Sequence, residues 1–222
     1  MNPKFIIGCL LGLSFLGCKK SNSTGGGGTY ITLSANSTWN YQQTNNATLI
    51  PVVTNYTITS TNKDTLINGR NYHIFNNSTR AKQYSNVSGH EYYQYDSLPI
   101  PNVAAIERLY LRDDVAANNN WVQNISVNIP GVPLAIPIVI TNIVSEKGIS
   151  RTVNSISYTD VIHVQTSITS IVIPATSFVN TINSYYAPKF GLIENISLVQ
   201  LNYAGYNQNI NSKTILLSAV LK

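Results

Sequence analysis

The chain has 222 residues, a formal charge of +5, and only 10% charged residues against 43% hydrophobic ones. Its basic residues are scattered, which excludes the clustered positive footprint of a nucleic-acid-binding protein, and its plentiful Ile, Val, Leu and Tyr exclude a disordered chain. With 2 cysteines and 3 histidines, it has no Cys/His set at metal-binding spacing, and no metal or other cofactor is expected.

The N-terminus comes first. Lys4 leads into an apolar run over residues 5–16, and Gly17 stands directly before Cys18. The run falls short of the ~20 residues needed to span a bilayer as a helix, but it has the basic, apolar and small-residue zones of an exported chain. This pattern resembles a bacterial lipoprotein signal, although Phe15 stands where that family usually has Leu. The resemblance implies removal of residues 1–17 and acylation of Cys18. An ordinary secretory signal is the alternative. Residues 18–29 include Gly25-Gly26-Gly27-Gly28 and read as a flexible tether. Cys9 would leave with the signal, so the mature chain would carry no disulfide. Lys19 and Lys20 are expected near lipid headgroups, and the lack of acidic residues beside them favours the periplasmic side of the outer membrane.

Residues 30–222 form one domain, rich in Thr, Val, Ile and Tyr with strand-type alternation. Asn68-Gly69 lies between two such runs and predicts a two-residue hairpin. Gly89 marks a second turn, and Gly148 is expected to separate a strand over 138–145 from a segment ending near Gln165. Residues 125–144 are strongly apolar yet hold Pro130, Pro133 and Pro137, which cannot all lie in a central strand. A hairpin with arms over 121–129 and 135–144 accommodates them. Its apolar side chains Ile129, Val132, Leu134 and Ile136 either pack on the core, the favoured reading, or form a flap that meets a membrane or gates a pocket. A short helix over 177–184 is a minor expectation. A last strand pair covers 192–203 and 213–221, with a turn over 205–211. The expected fold class is all-β, a single curved antiparallel sheet of half-barrel or barrel-like form with few or no helices.

Few residues suggest chemistry. His73, His90 and His163 are isolated along the chain, and Asp160 and His163, three apart on a strand, should face opposite ways. Arg112-Asp113-Asp114 followed by Asn118-Asn119-Asn120 lacks calcium-loop alternation, so a turn whose Asp and Asn side chains bond their own backbone is expected. No nucleophile elbow and no spaced acid pair is present, so an enzyme is not expected. Of the adjacent tyrosines Tyr92-Tyr93 and Tyr185-Tyr186, one of each pair should be core. Thr65 and Ser97, in Asp64-Thr65-Leu66 and Asp96-Ser97-Leu98, match the short O-glycosylation pattern of Bacteroidetes.

Taken with Cys18-Lys19-Lys20, the segments Ser37-Thr38-Trp39-Asn40-Tyr41, Asp64-Thr65-Leu66-Ile67-Asn68-Gly69-Arg70-Asn71-Tyr72, Tyr158-Thr159-Asp160-Val161-Ile162-His163-Val164 and Tyr185-Tyr186-Ala187-Pro188-Lys189-Phe190-Gly191-Leu192-Ile193 resemble a broad group of Bacteroidetes envelope lipoproteins of unassigned function. The resemblance implies a sheet similar to the half-barrel of lipoprotein-carrier proteins, and it supplies no catalytic positions. The expected function is a membrane-anchored, non-enzymatic binding or carrier module for an apolar ligand. The alternative is a structural or partner-binding envelope lipoprotein.

Overall fold

A computed structural model describes residues 29–79, 82–97, 104–128 and 134–222. The proposed signal, Cys18, most of the tether, and Ile129 and Val132 lie outside the described residues. Twelve strands form one antiparallel sheet: β1 (Thr38–Asn45), β2 (Val52–Ile67), β3 (Arg70–Asn77), β4 (Gln83–Ser88), β5 (Glu91–Asp96), β6 (Ile106–Arg112), β7 (Asn120–Val127), β8 (Ile136–Val153), β9 (Ile156–Ser170), β10 (Phe178–Ala187), β11 (Gly191–Tyr203) and β12 (Tyr206–Val220). The order is β6-β5-β4-β3-β2-β1-β12-β11-β10-β9-β8-β7, so the sheet curls until its two edge strands, consecutive in sequence, face each other in a nearly closed barrel. The all-β expectation therefore holds, in its barrel-like form.

Closure is made by side chains. Gln123 on β7 donates its amide N–H to Glu107 O at 2.7 Å and accepts from Leu109 N at 3.2 Å on β6, as a strand's peptide group would. Trp121 Nε1 donates to Leu109 O at 2.9 Å. The seam thus removes exposed edge groups without a β6–β7 backbone ladder.

Turn chemistry sets the register. Asn68 (φ 51°) and Gly69 (φ 83°) form the tight turn expected of Asn-Gly, pairing Ile67 with Arg70. Gly148 does not end a strand. It sits at φ 73° in a run of register shifts inside β8, and the chain reverses instead at Asn154-Ser155. The last hairpin turns in two residues, Ala204-Gly205, so residues 206–211 belong to β12. The expected helix over 177–184 does not form: a 3-10 turn, Ala175–Ser177, leads directly into β10, which takes up residues 178–184. The two arms around the prolines pair as expected, from Asn120↔Ile143 to Val127↔Ile136. Pro137 sits near the start of β8, beyond the first β9 partner pair, Ile138↔Ser170.

Three apolar clusters fill parts of the interior, one around Ile138, Ile168 and Leu201, one around Trp39, Phe75 and Leu216, and one around Tyr92, Leu111 and Tyr186. The N-terminal segment closes one rim. Tyr30 is buried, its N–H donating to Tyr92 Oη and its hydroxyl to Asp160 O. At the same rim Lys222 N donates to Ser37 Oγ at 3.0 Å.

Candidate ligand-binding cavity

A cavity of about 410 Å³ occupies the middle of the barrel. Its walls come from residues on the inward phase of successive strands: Gln94 on β5, Arg108 on β6, Gln123 on β7, Asn142 on β8, Thr166 on β9 and Ser184 on β10. β11 adds Asn195 and Ser197, and β12 adds Ser212 and Thr214. The result is a belt of amides and hydroxyls around the interior. Ile140, Ile168, Ile182 and Ile210 line the same space on an apolar side. A smaller cavity of about 150 Å³, walled by Trp39, Phe75 and Phe190, shares Gln94, Tyr110 and Tyr186 with it.

Most belt groups are committed to each other. Thr166 Oγ1 donates to Asn142 Oδ1 at 2.6 Å, Asn195 Nδ2 donates to Ser184 Oγ at 2.9 Å, and Ser197 Oγ donates to Asn195 Oδ1 at 2.7 Å. Two donors are not: Arg108 Nε and Asn142 Nδ2 are buried and have no hydrogen-bond partner among the described residues. Arg108 reaches Gln94 Oε1 at 3.3 Å through Nη2. Tyr110 and Tyr186 stand near its charge, but burial pushes both phenols above their ordinary pKa, Tyr110 far above, so they stay neutral and cannot offset it.

The histidines each meet a carboxylate. His73 Nδ1 lies 2.8 Å from Asp64 and its Nε2 lies 2.8 Å from Ser60 Oγ. His90 Nδ1 lies 2.5 Å from Asp113, whose other oxygen accepts from Tyr92 at 2.6 Å. Asp113 therefore bonds His90 and Tyr92 rather than its own turn backbone, whereas Asp114 bonds Arg112 and also its own backbone, as expected. His163 bridges Glu146 at 3.1 Å and Asn183 at 2.9 Å on the outer face. There its ring stacks on Tyr185 at 4.2 Å, while the Arg151 guanidinium lies 3.3 Å from the same centroid. Two groups that close cannot share one side of the ring, so Tyr185 is sandwiched. The two tyrosines thus face opposite ways, as expected, Tyr186 in the core and Tyr185 outside, where His163 and Arg151 bury it. Among the described residues no group of three or more His, Cys, Asp or Glu could hold a metal ion.

The Ser60–His73–Asp64 distances match a nucleophile–base–orienter row. Ser60 is nonetheless 0% exposed, and its hydroxyl also lies 2.9 Å from Leu33 O. It clasps the N-terminal segment and presents no nucleophile to solvent.

Other sequence-predicted sites are dispersed. Thr65 is half-buried on β2, and Ser97 is exposed after β5. Leu134 is 76% exposed whereas Ile136 is 2% exposed and packs with Val127 and Phe178, so of the described flap residues only Leu134 meets solvent. The β1–β2 tip (Leu49, Ile50) and Ile171 expose further apolar side chains at the same rim, opposite the N-terminal segment. Arg108, Asn142 and Gln123 were missed. Their signal was a polar residue on the buried phase of a strand, as in Ile138, Ile140, Asn142, Val144.

Fold and cavity together define a barrel-like antiparallel β-protein with a polar-belted interior. No family model matches the chain, and no curated protein matches its sequence. Two solved structures are similar in outline, each at 8% identity and covering 86% of this chain and 98% of their own. One is a protein of Parabacteroides distasonis ATCC 8503 provisionally assigned as a lipoprotein (TM-score 0.49). The other is a provisionally assigned exported protein with YmcC-like fold from Bacteroides fragilis NCTC 9343 (TM-score 0.41).

Proposed function

We propose that this chain is a non-enzymatic cell-envelope lipoprotein, held by acylated Cys18 at the periplasmic face of the outer membrane, whose barrel binds a small ligand. The observation that carries the binding role is the 410 Å³ interior cavity with two unpartnered donors in its wall. The two donors left over by the otherwise mutually bonded belt, Arg108 Nε and Asn142 Nδ2, favour an amphipathic ligand over a wholly apolar one, which would leave both unpaired. The anchor rests on the N-terminal sequence alone. The non-enzymatic reading rests on the buried, committed Ser60 and on histidines spent in pairwise contacts.

Two measurements test this. Mass spectrometry of the mature N-terminus should find Cys18 first and acylated; a free thiol there overturns the anchor. Full-length protein extracted from membranes in a detergent-free polymer should carry a small molecule at about one equivalent, and Ser197→Phe, which fills the cavity, should lose it. A native protein that is empty, and takes up no added amphiphile, overturns the binding role.

A further inference from the structure

The geometry points to an anionic head group as the ligand's recognised end, held by Arg108 and Asn142 with its apolar tail along the isoleucine wall. This deepens the reading of the interior as a ligand site and rests on it. Arg108 projects from β6 into the cavity wall, its Nε shielded from solvent and unpartnered among the described residues. Guanidinium is charged at all working pH and carries five donors in a planar fork. Among the described residues its one side-chain hydrogen bond is to neutral Gln94, and it takes part in no ion pair. A partly buried guanidinium whose Nε has no acceptor and which no carboxylate reaches within ion-pair distance gains from an incoming carboxylate or phosphate.

Asn142 supplies the second donor, two strands away on β8. With its amide placed so that the Thr166 hydroxyl donates to Oδ1 at 2.6 Å, Asn142 keeps its N–H side unpaired. Between them Gln123 spends both ends of its amide on the β6 backbone and offers nothing that competes. Two unpaired donors flanking one seam suit an acceptor with several oxygens. The tail direction follows from Ile140 and Ile168, which continue the same wall in apolar form. Asp96 also lines the cavity, and its Oδ1 is held by Ser97 N at 2.7 Å.

The test uses full-length protein and a diazirine-bearing octanoic acid as photolabel, with octanoate, octyl phosphate, 1-octanol and inorganic phosphate as competitors. Labelling should map to β8 and β9 peptides. Octanoate and octyl phosphate should compete at about tenfold lower concentration than octanol or better, in line with a charge-assisted hydrogen bond. In Arg108→Met that preference should vanish while octanol still competes. Equal potency of octanol on the native protein overturns the anionic head group yet leaves the interior site standing, and this comparison needs no variant to fold. Absence of any label on interior peptides overturns the site itself. Inorganic phosphate competing as well as octyl phosphate assigns the site to a free anion and overturns the tail.

Discussion

The indole N–H of Trp121 reaches the carbonyl of Leu109 at 2.9 Å, from one edge of the sheet to the other. With the Gln123 amide beside it, this contact does the work of a ladder between strands that have none. Gln123→Leu is nearly the same size but strands the Leu109 N–H and Glu107 C=O together. It should cost about 1–3 kcal/mol, read from urea unfolding, with faster amide exchange along β6. An unchanged midpoint would show that packing alone holds the barrel shut.

Glu194 is 4% exposed on the outer face between Lys213 (2.9 Å) and Arg151 (2.5 Å). Burial works to raise its pKa, but the hydrogen bonds and charges of Lys213 and Arg151 outweigh it and hold the carboxyl below its ordinary 4.5. A folded pKa below the unfolded one means the stabilisation is complete above the unfolded value and is lost as pH falls through the folded one. The native barrel should therefore lose stability on acidification below about 4.5. Glu194→Gln should be less stable at neutral pH and show a shallower acid dependence in unfolding midpoints taken across pH. Parallel curves for the two proteins would remove Glu194 as the cause.

Much of the architecture was legible before the fold. Asn68-Gly69 and the paired arms around Pro130 and Pro133 are local signals, written in residues whose backbone preferences need no partner. Gly148 misled because positive φ serves a bulge as well as a turn, and only the β9 register tells them apart. Seam and cavity needed the closed topology. Gln123 and Arg108 meet across strands joined by no ladder, and Ser60, Asp64 and His73 converge only through the β2 bulge. What the chain did carry was phase: in β12, Ser212 and Thr214 fall between Ile210 and Leu216 on one face. Polar residues on an otherwise apolar inward row mark a wall that is not fully packed.

The Asn154-Ser155 turn holds both residues at positive φ, 48° and 64°. Asparagine tolerates this, and its Nδ2 also donates to Leu217 O at 3.1 Å. Serine gains no such compensation in a conformation that costs an L-residue roughly 1–2 kcal/mol. Ser155→Gly should raise stability by about 0.5–1 kcal/mol after the extra entropy of glycine is subtracted. Thermal unfolding checks it, and a lower melting temperature would mean that the turn relaxes differently from the pair at Asn68-Gly69.

Ser60, His73 and Asp64 give the sharpest test of the non-enzymatic reading, because their spacing alone would suit acyl transfer. A nucleophile must be reachable and must give its proton to the base. The Ser60 hydroxyl is enclosed, and when it donates to Leu33 O it can only accept from His73 Nε2, the reverse of the polarity a general base needs. A fluorophosphonate probe should therefore leave the folded protein unlabelled. Ser60→Ala should leave Leu33 O and His73 without their shared partner and cost about 1–3 kcal/mol in urea unfolding. Protease sensitivity of residues 29–37 should rise with it, since that clasp holds the segment to β2. Labelling of Ser60 in native protein, with hydrolysis of a simple ester lost in Ser60→Ala and His73→Gln alike, would replace the clasp with a catalyst.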